Sequence, residues 1–533
     1  MRQSRYTRRE FLGAIGLGAA CLPLAGSLAS TPAARQHVGT RPNIVLIMAD
    51  DMGFSDIGCY GGEIETPNID SLAADGLRFT QFYNNAICVP TRASLLSGLY
   101  SQQVGVYGNS PRVMQRCVTL GEMLRDAGYR TLMTGKWHAQ QIPFERGFDR
   151  YFGLCDGCCN FFNPGPRRPG EPEPGRKGTS YGYPRRWAID DRVYQPYAPP
   201  DPDFYTTDAF TDYALQYLDD YQGEDKPFFL YVAYTAPHYP LHAWPEDIAR
   251  YRGRYMLGWD ELRRQRYQRL TDMGLIDRRW GMSRRDDVVP AWDDIADKDA
   301  WDLTMAVYAA MIDRMDQNIG RLLAKIQEMG VEDNTLVLFL TDNGGCAGKA
   351  NYTPNIPPGP VESYRSVDPP WANASNTPFR KYKVWDHEGG ISTPLIARWP
   401  TVIKQRGGLT NQMGHIIDIM ATFVDVAGAR YPSSYEGRDV LPMEGRSLLP
   451  VFQGEQRRGH QAIFWQINRN SGARAVRTPQ FKLVTPGPDQ PWELYDMIAD
   501  RTELRNLAGR YPDKAGELAG LYDNWVLRCN LPV

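Results

Sequence analysis

The sequence predicts an α/β fold in which a large, mostly parallel mixed sheet is flanked by helices and followed by a smaller α+β subdomain. Three observations predict it. Four short apolar runs each end in polar residues, helical patterns lie between them, and residues 431–533 lack this alternation. Strands that alternate with helices are typical of α/β folds with right-handed crossovers. The helical patterns cover residues 117–127, 206–222 and 304–328.

The length and composition agree with this architecture. A chain of 533 residues is too long for one small core, so we expect a large domain and a smaller one, here residues 41–430 and 431–533. Charged residues make up 23% and hydrophobic residues 42%, which is ordinary for a globular protein. The net charge is only −2, so we expect no nucleic-acid partner.

The first 34 residues predict an export signal. Paired arginines in Thr7-Arg8-Arg9-Glu10-Phe11-Leu12 precede a glycine- and alanine-rich apolar run. This pattern is typical of substrates of the twin-arginine (Tat) export machinery and predicts a periplasmic or secreted protein. An uncleaved membrane anchor is the alternative, although so many glycines and alanines make a poor spanning helix. Cys21 follows Gly18-Ala19-Ala20, so lipid anchoring is a second alternative.

The first apolar run, Asn43 to Ala49, predicts a strand that is buried on both faces of the sheet. It ends in Asp50 and Asp51. Ligands bind beyond the carboxyl ends of strands in α/β sheets, so this pair is a candidate site. A solvated acidic turn is the alternative interpretation.

The stretch from Cys88 to Gly98 predicts an anion site with a sulfur atom at its centre. Proline favours the first turn of a helix and glycine the position past its end, so Pro90 and Gly98 place Cys88 at a helix N-terminus. Free backbone N–H groups and the helix dipole attract oxyanions there, and Arg92 adds a fixed positive charge. The alternative is a half-buried structural thiol at the start of an ordinary helix.

Three later apolar runs, at residues 129–134, 228–234 and 335–340, end in the same way. They lead in order into Lys136 and His138, into His238, and into Asp342 and Asn343. Because the carboxyl ends of parallel strands meet at one edge of a sheet, we expect these side chains to converge with Asp50 and Asp51. A lone histidine is more often structural, but two that directly follow such strands favour a site.

The chemistry of these residues predicts a calcium site. Asp50, Asp51, Asp342 and Asn343 supply hard oxygen ligands, which select Ca²⁺ or Mg²⁺ over zinc or copper. Ca²⁺ tolerates irregular geometry better than Mg²⁺. Cys155, Cys158 and Cys159 could form half of a zinc site, but no second Cys/His pair stands at zinc spacing. A disulfide or free thiols are therefore favoured for this cluster.

Two segments are expected to shape the mouth of the pocket. They are residues 160–205 and residues 349–378, the second with Tyr352, Tyr364 and Trp371. Residues 245–300 are rich in arginine, aspartate and tryptophan and predict a helical surface insert.

The last third of the chain predicts a basic loop and a small sheet. Lys383-x4-Glu388-Gly389-Gly390 belongs to a basic loop that enters another buried strand. Residues 462–465 and 481–484 are typical of strands in a small antiparallel sheet, and residues 511–528 of a terminal helix.

Five blocks together resemble the type I sulfatases, in the order that the family has. They are the eleven residues from Cys88 to Gly98, Gly135-Lys136-Trp137-His138, Ala236-Pro237-His238, Thr341-Asp342-Asn343-Gly344 and Lys383-x4-Glu388-Gly389-Gly390. The likeness spans residues 41–400 and continues more weakly to the C-terminus. It implies an alkaline phosphatase-like fold and an arylsulfatase-type sulfuric ester hydrolase. In that family a formylglycine-generating enzyme oxidises the signature cysteine, here Cys88, to Cα-formylglycine.

The resemblance also implies roles for single residues. Ca²⁺ would be held by Asp50, Asp51, Cys88, Asp342 and Asn343. Arg92 and Lys136 would stabilise the formylglycine hydrate, His238 and Lys383 would stabilise or protonate the leaving oxygen, and His138 would take a proton from the hydrate. The substrate would be an aryl or carbohydrate sulfate monoester. A phosphonate or phosphate ester hydrolase with the same formylglycine is the alternative, and a binding protein that keeps Cys88 as a thiol is a more distant one.

Overall fold

A computed structural model describes residues 41–171, 185–467, 473–487 and 490–529. The predicted export signal, including Cys21, lies outside the described residues. Within the described ranges, no helix is both long enough and apolar enough to cross a membrane.

Eleven strands form one large mixed sheet in the described chain. They are β1 Asn43–Ala49, β2 Leu77–Tyr83, β3 Arg130–Gly135, β4 Arg150–Leu154, β5 Trp187–Ile189, β6 Arg192–Tyr194, β7 Phe228–Ala233, β8 Thr335–Thr341, β9 Ser392–Arg398, β10 Gly408–Thr410 and β11 Gly414–His415. The spatial order is β10-β2-β9-β8-β1-β7-β3-β4-β5-β6, and β11 pairs with β2.

The centre of the sheet, β8-β1-β7-β3-β4, is parallel throughout. β9 runs antiparallel to both β8 and β2, and β5 runs antiparallel to β4. Therefore β2 points the same way as the central strands, while β9 begins at the edge where they end. This mixed, mostly parallel arrangement confirms the predicted fold class.

Strand β1 is buried on both faces, as its continuous apolar pattern predicts. Successive side chains point to opposite faces of a sheet. Ile44, Leu46 and Met48 therefore join the hydrophobic core on one face and Val45 and Ile47 the core on the other, each fully buried. Burying one such side chain contributes roughly 1.5–3 kcal/mol. This burial fixes the register of β1 and with it the positions of the aspartates that follow.

Helices connect the strands, and most of them cover the two faces of the large sheet. They are α1 Pro67–Ala74, α2 Cys88–Ser97, α3 Leu120–Asp126, α4 Thr206–Tyr221, α5 Pro245–Ala249, α6 Trp259–Asp272, α7 Lys298–Glu328, α8 Asp368–Ser375, α9 Glu388–Ile391, α10 Asp418–Val426, α11 Leu449–Phe452 and α12 Pro512–Arg528. Short 3-10 helices lie at Gly58–Tyr60, Ser101–Val104, Pro143–Arg146, Trp292–Asp294 and Glu332–Asn334. Apolar residues of α2, α3 and α10 pack on one face, and those of α1, α4 and α7 on the other.

The longest helix, α7, begins six residues before its predicted start at residue 304. Its first turns carry charged residues that hide the apolar period. The carboxylate of Asp297 caps the helix by accepting a hydrogen bond from the Ala300 N–H at 3.0 Å. The capping residue, rather than the apolar pattern, marks the true start.

The C-terminal part contains the predicted small antiparallel sheet. Its strands are β14 Ile463–Gln466, β15 Arg474–Arg477, β16 Phe481–Thr485 and β17 Glu493–Asp496, in that spatial order. A two-stranded ribbon, β12 Ser434–Tyr435 with β13 Arg438–Asp439, precedes it. Helix α12 packs on the sheet through Leu518, Tyr522 and Trp525.

Two sequence expectations need correction. The insert at residues 245–300 does contain helices, but Trp259 and Trp292 are buried, so it is not only a surface feature. Trp371, expected at the pocket mouth, is fully buried on α8, and its ring lies 5.4 Å from that of Trp259. The apolar area of these large rings is removed from water by packing them together, which the sequence pattern alone does not reveal.

Candidate active site

The predicted site residues meet at one edge of the large sheet. Strands β1, β3, β7 and β8 lie side by side, and the polar residues that follow them emerge from the same end. Helix α2 follows β2 at this edge. Because β9 is antiparallel to its neighbours, the loop that precedes β9 also lies here and supplies Lys383. The topology thus brings together residues 332 positions apart in the chain.

Two buried ion pairs lie on one side of the site. Lys136 Nζ donates to Asp50 Oδ2 at 2.5 Å, and both side chains are fully buried. Arg92 donates to Asp342 Oδ2 from Nη2 at 2.9 Å and from Nε at 3.2 Å. Its Nη1 also donates to the carbonyl oxygen of Lys136 at 3.0 Å. The arginine is therefore fixed between two of the strand ends.

Asp51 is the centre of a second group. Its Oδ1 accepts hydrogen bonds from Lys383 Nζ at 2.6 Å and Asn343 Nδ2 at 2.7 Å. Its Oδ2 lies 3.4 Å from His238 Nε2. Asp51 has φ = 66°, a left-handed conformation that is strained for a residue with a Cβ. The surrounding contacts hold the carboxylate in place despite that strain.

The oxygen atoms at the centre of the site fit a hard cation. Asp50 Oδ1, Asp51 Oδ2 and Asn343 Oδ1 are buried and accept no hydrogen bond within the described part of the chain. Leaving a buried acceptor unsatisfied costs about 1–3 kcal/mol or more. Asp50, Asp51 and His238 can also bring ligand atoms within 4.8 Å of one another. Oxygen-rich donors of this kind suit Ca²⁺ or Mg²⁺.

The charges of the site stabilise one another. Burial disfavours a charged ammonium, but nearby Asp50 outweighs it and raises the pKa of Lys136, and Asp51 does the same for Lys383. Burial also disfavours the Asp51 carboxylate, yet Lys383 and His238 leave its pKa lowered. Burial and the Asp50 charge raise the pKa of Asp342 to about 6. Both lysines therefore stay cationic at neutral pH.

Cys88 is the first residue of α2, as predicted, and the helix ends at Gly98, which has φ = 70°. The Cys88 thiol is buried, and its Sγ lies 3.5 Å from Asn109 Oδ1. Burial raises the pKa of Cys88 despite the nearby lysines. Because the thiolate is the reactive form, an unmodified Cys88 would be a poor nucleophile at neutral pH.

The two candidate histidines are neutral in this environment. Burial, followed by the charges of Lys136 and Arg92, lowers the pKa of His138 well below its ordinary value. Burial lowers the pKa of His238 to about 3. His238 Nδ1 donates to the Tyr239 carbonyl at 2.6 Å, so the neutral ring directs its Nε2 lone pair towards Asp51. Two acceptors that face each other in this way favour a cation between them.

The site opens into a cavity of about 660 Å³. Cys88, His138, His238 and Lys383 form its inner end, and its other lining residues include Asp156, Arg185, Tyr239, Cys346, Tyr352 and Tyr364. Tyr352 and Tyr364 thus lie where the sequence predicted. Of the 160–205 segment, however, Arg185 lines this cavity, whereas Phe162, Arg168 and Pro202 line a separate cavity of about 580 Å³.

Sequence reasoning missed two residues that contact the candidate catalytic side chains. Asn109 approaches Cys88 from a loop that has no periodic pattern. Gly157 lies against the His138 ring, and a Cβ atom there would be 2.6 Å from His138 Nε2. Gly157 follows β4, which ends at the same edge as the other parallel strands. The strand-end argument used for the other motifs could therefore have found it.

The remaining cysteines form no disulfide among the described residues. Cys155 and Cys159 are buried, and burial raises the pKa of Cys155 to about 12. Cys346 lines the catalytic cavity, but burial and the Asp51 charge raise its pKa as well. These groups are therefore thiols at neutral pH.

Comparison with known families agrees with this geometry. The family model described as Sulfatase matches residues 42–429. A second model, described as N-sulphoglucosamine sulphohydrolase, C-terminal, matches residues 379–516. The two matches together cover the large sheet and most of the C-terminal part.

Two similar proteins align over most of their length. An uncharacterized sulfatase of Schizosaccharomyces pombe is 33% identical over 539 residues, covering 91% of this chain and 93% of the relative. An arylsulfatase of Klebsiella aerogenes is 33% identical over 458 residues, covering 78% of this chain and 93% of the relative.

A solved structure shares the fold. The crystal structure of Ps i-CgsB in complex with k-i-k-neocarrahexaose has a TM-score of 0.66 and 25% identity, and the match covers 91% of this chain and 92% of that one. The architecture is the alkaline phosphatase-like fold of the sulfatases. The family matches, the relatives and the convergent site lead to one conclusion: this chain belongs to the sulfatase family and is a sulfuric ester hydrolase.

Proposed function

We propose that this enzyme hydrolyses aryl or carbohydrate sulfate monoesters to an alcohol and inorganic sulfate, using a formylglycine made from Cys88 and a bound Ca²⁺. One observation carries the proposal. Arg92, Lys136 and Lys383 are fixed by carboxylates around the cavity end where Cys88 lies. The similarity to an arylsulfatase and to a structure that holds k-i-k-neocarrahexaose supports this class of substrate.

Two groups would complete the site. Ca²⁺ held by Asp50, Asp51, Asp342, Asn343 and residue 88 would bind the sulfate and stabilise negative charge on it. A formylglycine hydrate at residue 88 would supply the hydroxyl that attacks sulfur. A modified residue accounts for how a position with an unreactive thiol can take part in the reaction.

Three cationic side chains of the protein then stabilise the negative charge that develops at residue 88 and on the leaving oxygen. Arg92 and Lys136 hold negative charge at residue 88, since both are locked in place before the substrate arrives. Preorganised charges of this kind lower a barrier more than mobile ones. Lys383 keeps its proton, so it can donate to the leaving oxygen. Neutral His238 directs its Nε2 lone pair towards Asp51 and donates its Nδ1 proton to Tyr239, so it supplies no proton to that oxygen.

His138 is suited to act as the base. Its imidazole is neutral, and its buried Nδ1 has no hydrogen-bond partner among the described residues. A neutral ring can take the proton from residue 88 that accompanies release of sulfate. The charges of Lys136 and Arg92 that lower its pKa keep the ring unprotonated before this step, and they also weaken it as a base.

The experiment examines residue 88 directly. Protein is produced with and without a formylglycine-generating enzyme, and the tryptic peptide from Phe79 to Arg92 is weighed. We expect a mass that matches an aldehyde in place of CH2SH, together with release of sulfate from 4-nitrophenyl sulfate. A thiol under both conditions would contradict the mechanism. Faster hydrolysis of a matched phosphonate ester would contradict the substrate class.

We also propose that residues 1–34 direct the chain to the twin-arginine exporter. That machinery carries folded proteins, so metal binding and oxidation of Cys88 would be completed before export. Fractionation of cells that express the full chain tests this, with a variant in which Arg8 and Arg9 are replaced by lysine. Mature enzyme in the periplasm for the wild type and in the cytoplasm for the variant is expected. Equal export of both would refute the signal.

A further inference from the structure

The C-terminal sheet reaches the catalytic loop through a fully buried ion cluster. Glu388 lies five positions after Lys383 and accepts hydrogen bonds from Lys482 Nζ at 3.0 Å and from Arg501 Nε at 2.9 Å. Lys482 also pairs with Glu503 at 2.7 Å. All four side chains have no exposed surface. Lys482 belongs to β16, so the small sheet is tied directly to the Glu-Gly-Gly motif.

The charges of the cluster are paired, with the Arg477 guanidinium close by, so the cluster is sensitive to a single change. It contains two carboxylates and two cations, and the Glu388 N–H donates to Glu503 Oε2 at 2.9 Å. Burial opposes the Glu388 charge, but Lys482 and Arg501 leave its pKa lowered. Burial likewise opposes the Lys482 charge, and Glu503 and Glu388 leave its pKa raised. Removal of one member would leave a buried charge without its partner.

Backbone hydrogen bonds connect this cluster rigidly to Lys383. The Gly389 N–H donates to the Arg380 carbonyl at 2.9 Å, which closes the loop that contains Lys383. The Lys383 N–H donates to Gly345 at 3.1 Å, and the Val384 N–H to Ala86 at 2.7 Å. The loop thus contacts the chain segments on either side of the site.

The same cluster holds the segment that leads to Cys88. The Tyr83 hydroxyl, at the end of β2, donates to Glu388 Oε2 at 2.8 Å and accepts from Arg477 Nε at 3.0 Å. Next to it, the Asn84 carbonyl accepts a hydrogen bond from Trp465 Nε1 at 2.8 Å. Arg477 and Trp465 belong to the small sheet. Two catalytic segments therefore take their positions from one buried cluster.

We propose that Glu388 and Lys482 are positioning residues for catalysis, through which the C-terminal sheet holds the Lys383 ammonium group where it protonates the leaving oxygen. This rests on the proposed function of Lys383. If this proposal holds, a defect in the cluster should slow the hydrolysis of esters of weakly acidic alcohols more than the hydrolysis of esters of strongly acidic ones. A good leaving group departs without help from an acid, whereas a poor one does not.

The test uses the variants Glu388→Gln and Lys482→Met of the mature, full-length enzyme. The readout is the ratio of kcat/KM on 4-nitrophenyl sulfate to kcat/KM on phenyl sulfate, because kcat also contains the release of sulfate from residue 88, which both esters share. General acid catalysis contributes typically 10²–10⁴-fold, so we expect this ratio to rise roughly 10-fold or more. KM should change by less than this ratio, because Arg92 and Lys136 keep their own ion pairs with Asp342 and Asp50. Lys383→Met should shift the ratio in the same direction.

A matched control separates positioning from stability. Glu122→Gln breaks another buried ion pair, with Arg146 at 2.9 Å, that has no link to the Lys383 loop. We expect a lower Tm and an unchanged ratio. If the single variants fold poorly, the double variant Glu388→Gln/Lys482→Met keeps the charges balanced and should still show the raised ratio.

An unchanged ratio in folded Glu388 and Lys482 variants would overturn the proposal. A wild type that carries formylglycine yet releases sulfate from neither ester would instead refute the proposed function. The two failures are therefore distinguishable.

Discussion

Lys383 Nζ lies 2.6 Å from Asp51 Oδ1, although the two residues are 332 positions apart in the chain. Asp51 follows a parallel strand, and Lys383 precedes the antiparallel strand β9. Both side chains are nearly completely buried. Removing one member of such a pair typically costs about 3–5 kcal/mol, so the pair fixes both the acid of the proposed reaction and the carboxylate proposed to bind the cation.

Added Ca²⁺ should stabilise the wild-type enzyme. Three buried oxygens, including Asn343 Oδ1, have no hydrogen-bond partner among the described residues, so the folded chain offers a candidate cation site that the unfolded chain lacks. A ligand at 100 times its Kd contributes about 2.7 kcal/mol, which thermal unfolding detects as a rise in Tm. Asn343→Leu should abolish this rise. Glu122→Gln, which disturbs a buried ion pair with Arg146, should lower Tm but keep the Ca²⁺ response.

Gly157→Ala should reduce kcat while the fold is retained. The added Cβ would lie 2.6 Å from His138 Nε2, so the imidazole must move. A displacement of about 1 Å at a catalytic group can cost roughly 100-fold in rate. Gly223→Ala is the control, because a Cβ at residue 223 meets nothing within 4 Å. Similar kcat values for both variants would argue against a catalytic role for His138.

The stability of the enzyme should fall in mild acid, in part through His242. Its Nδ1 accepts a hydrogen bond from the Phe161 N–H at 3.3 Å, and its Nε2 donates to the Ser363 carbonyl at 2.8 Å. Burial lowers the pKa of His242 from 6.5 to about 4.

The direction in which stability changes with pH follows from this shift in the pKa of His242. The unfolded chain binds a proton at His242 near pH 6.5, whereas the folded chain resists it until about pH 4. The contribution of neutral His242 to the free energy of unfolding is complete above pH 6.5. About 3 kcal/mol of it is lost as the pH falls towards 4. His242→Gln keeps a donor but cannot be protonated. Urea unfolding between these pH values should show a shallower loss for the variant, and an equal loss would contradict the assignment.

Trp371 and Tyr352 should respond in opposite ways to replacement. Trp371 is fully buried, so Trp371→Ala should cost about 3–5 kcal/mol of stability and leave KM unchanged. Tyr352 is 43% exposed and lines the catalytic cavity. An aromatic contact is worth about 0.5–1.5 kcal/mol, so Tyr352→Ala should raise KM roughly 2- to 10-fold with little change in Tm. A raised KM for Trp371→Ala would indicate that Trp371 affects substrate binding, as expected from the sequence.

The sequence by itself determined five of the eleven strands of the large sheet, namely β1, β3, β7, β8 and β9, and the edge of the sheet at which the candidate site residues meet. Continuous apolar runs such as Asn43–Ala49 can only be strands or buried helix segments, and their length together with the polar residues that follow favours strands. The parallel arrangement then placed Asp50, Lys136, His238 and Asp342 at one edge without any knowledge of side-chain contacts.

Tertiary structure decided what no local pattern encodes. Trp371 and Tyr352 belong to one insert, yet one is in the core and the other lines the cavity, because burial depends on which distant elements pack there. The same holds for Glu388 and Lys482, whose charges tolerate full burial only because they face each other across 94 residues of chain. Side-chain periodicity reports the nearest few residues, whereas ion pairing and ring packing depend on contacts that only the folded chain creates.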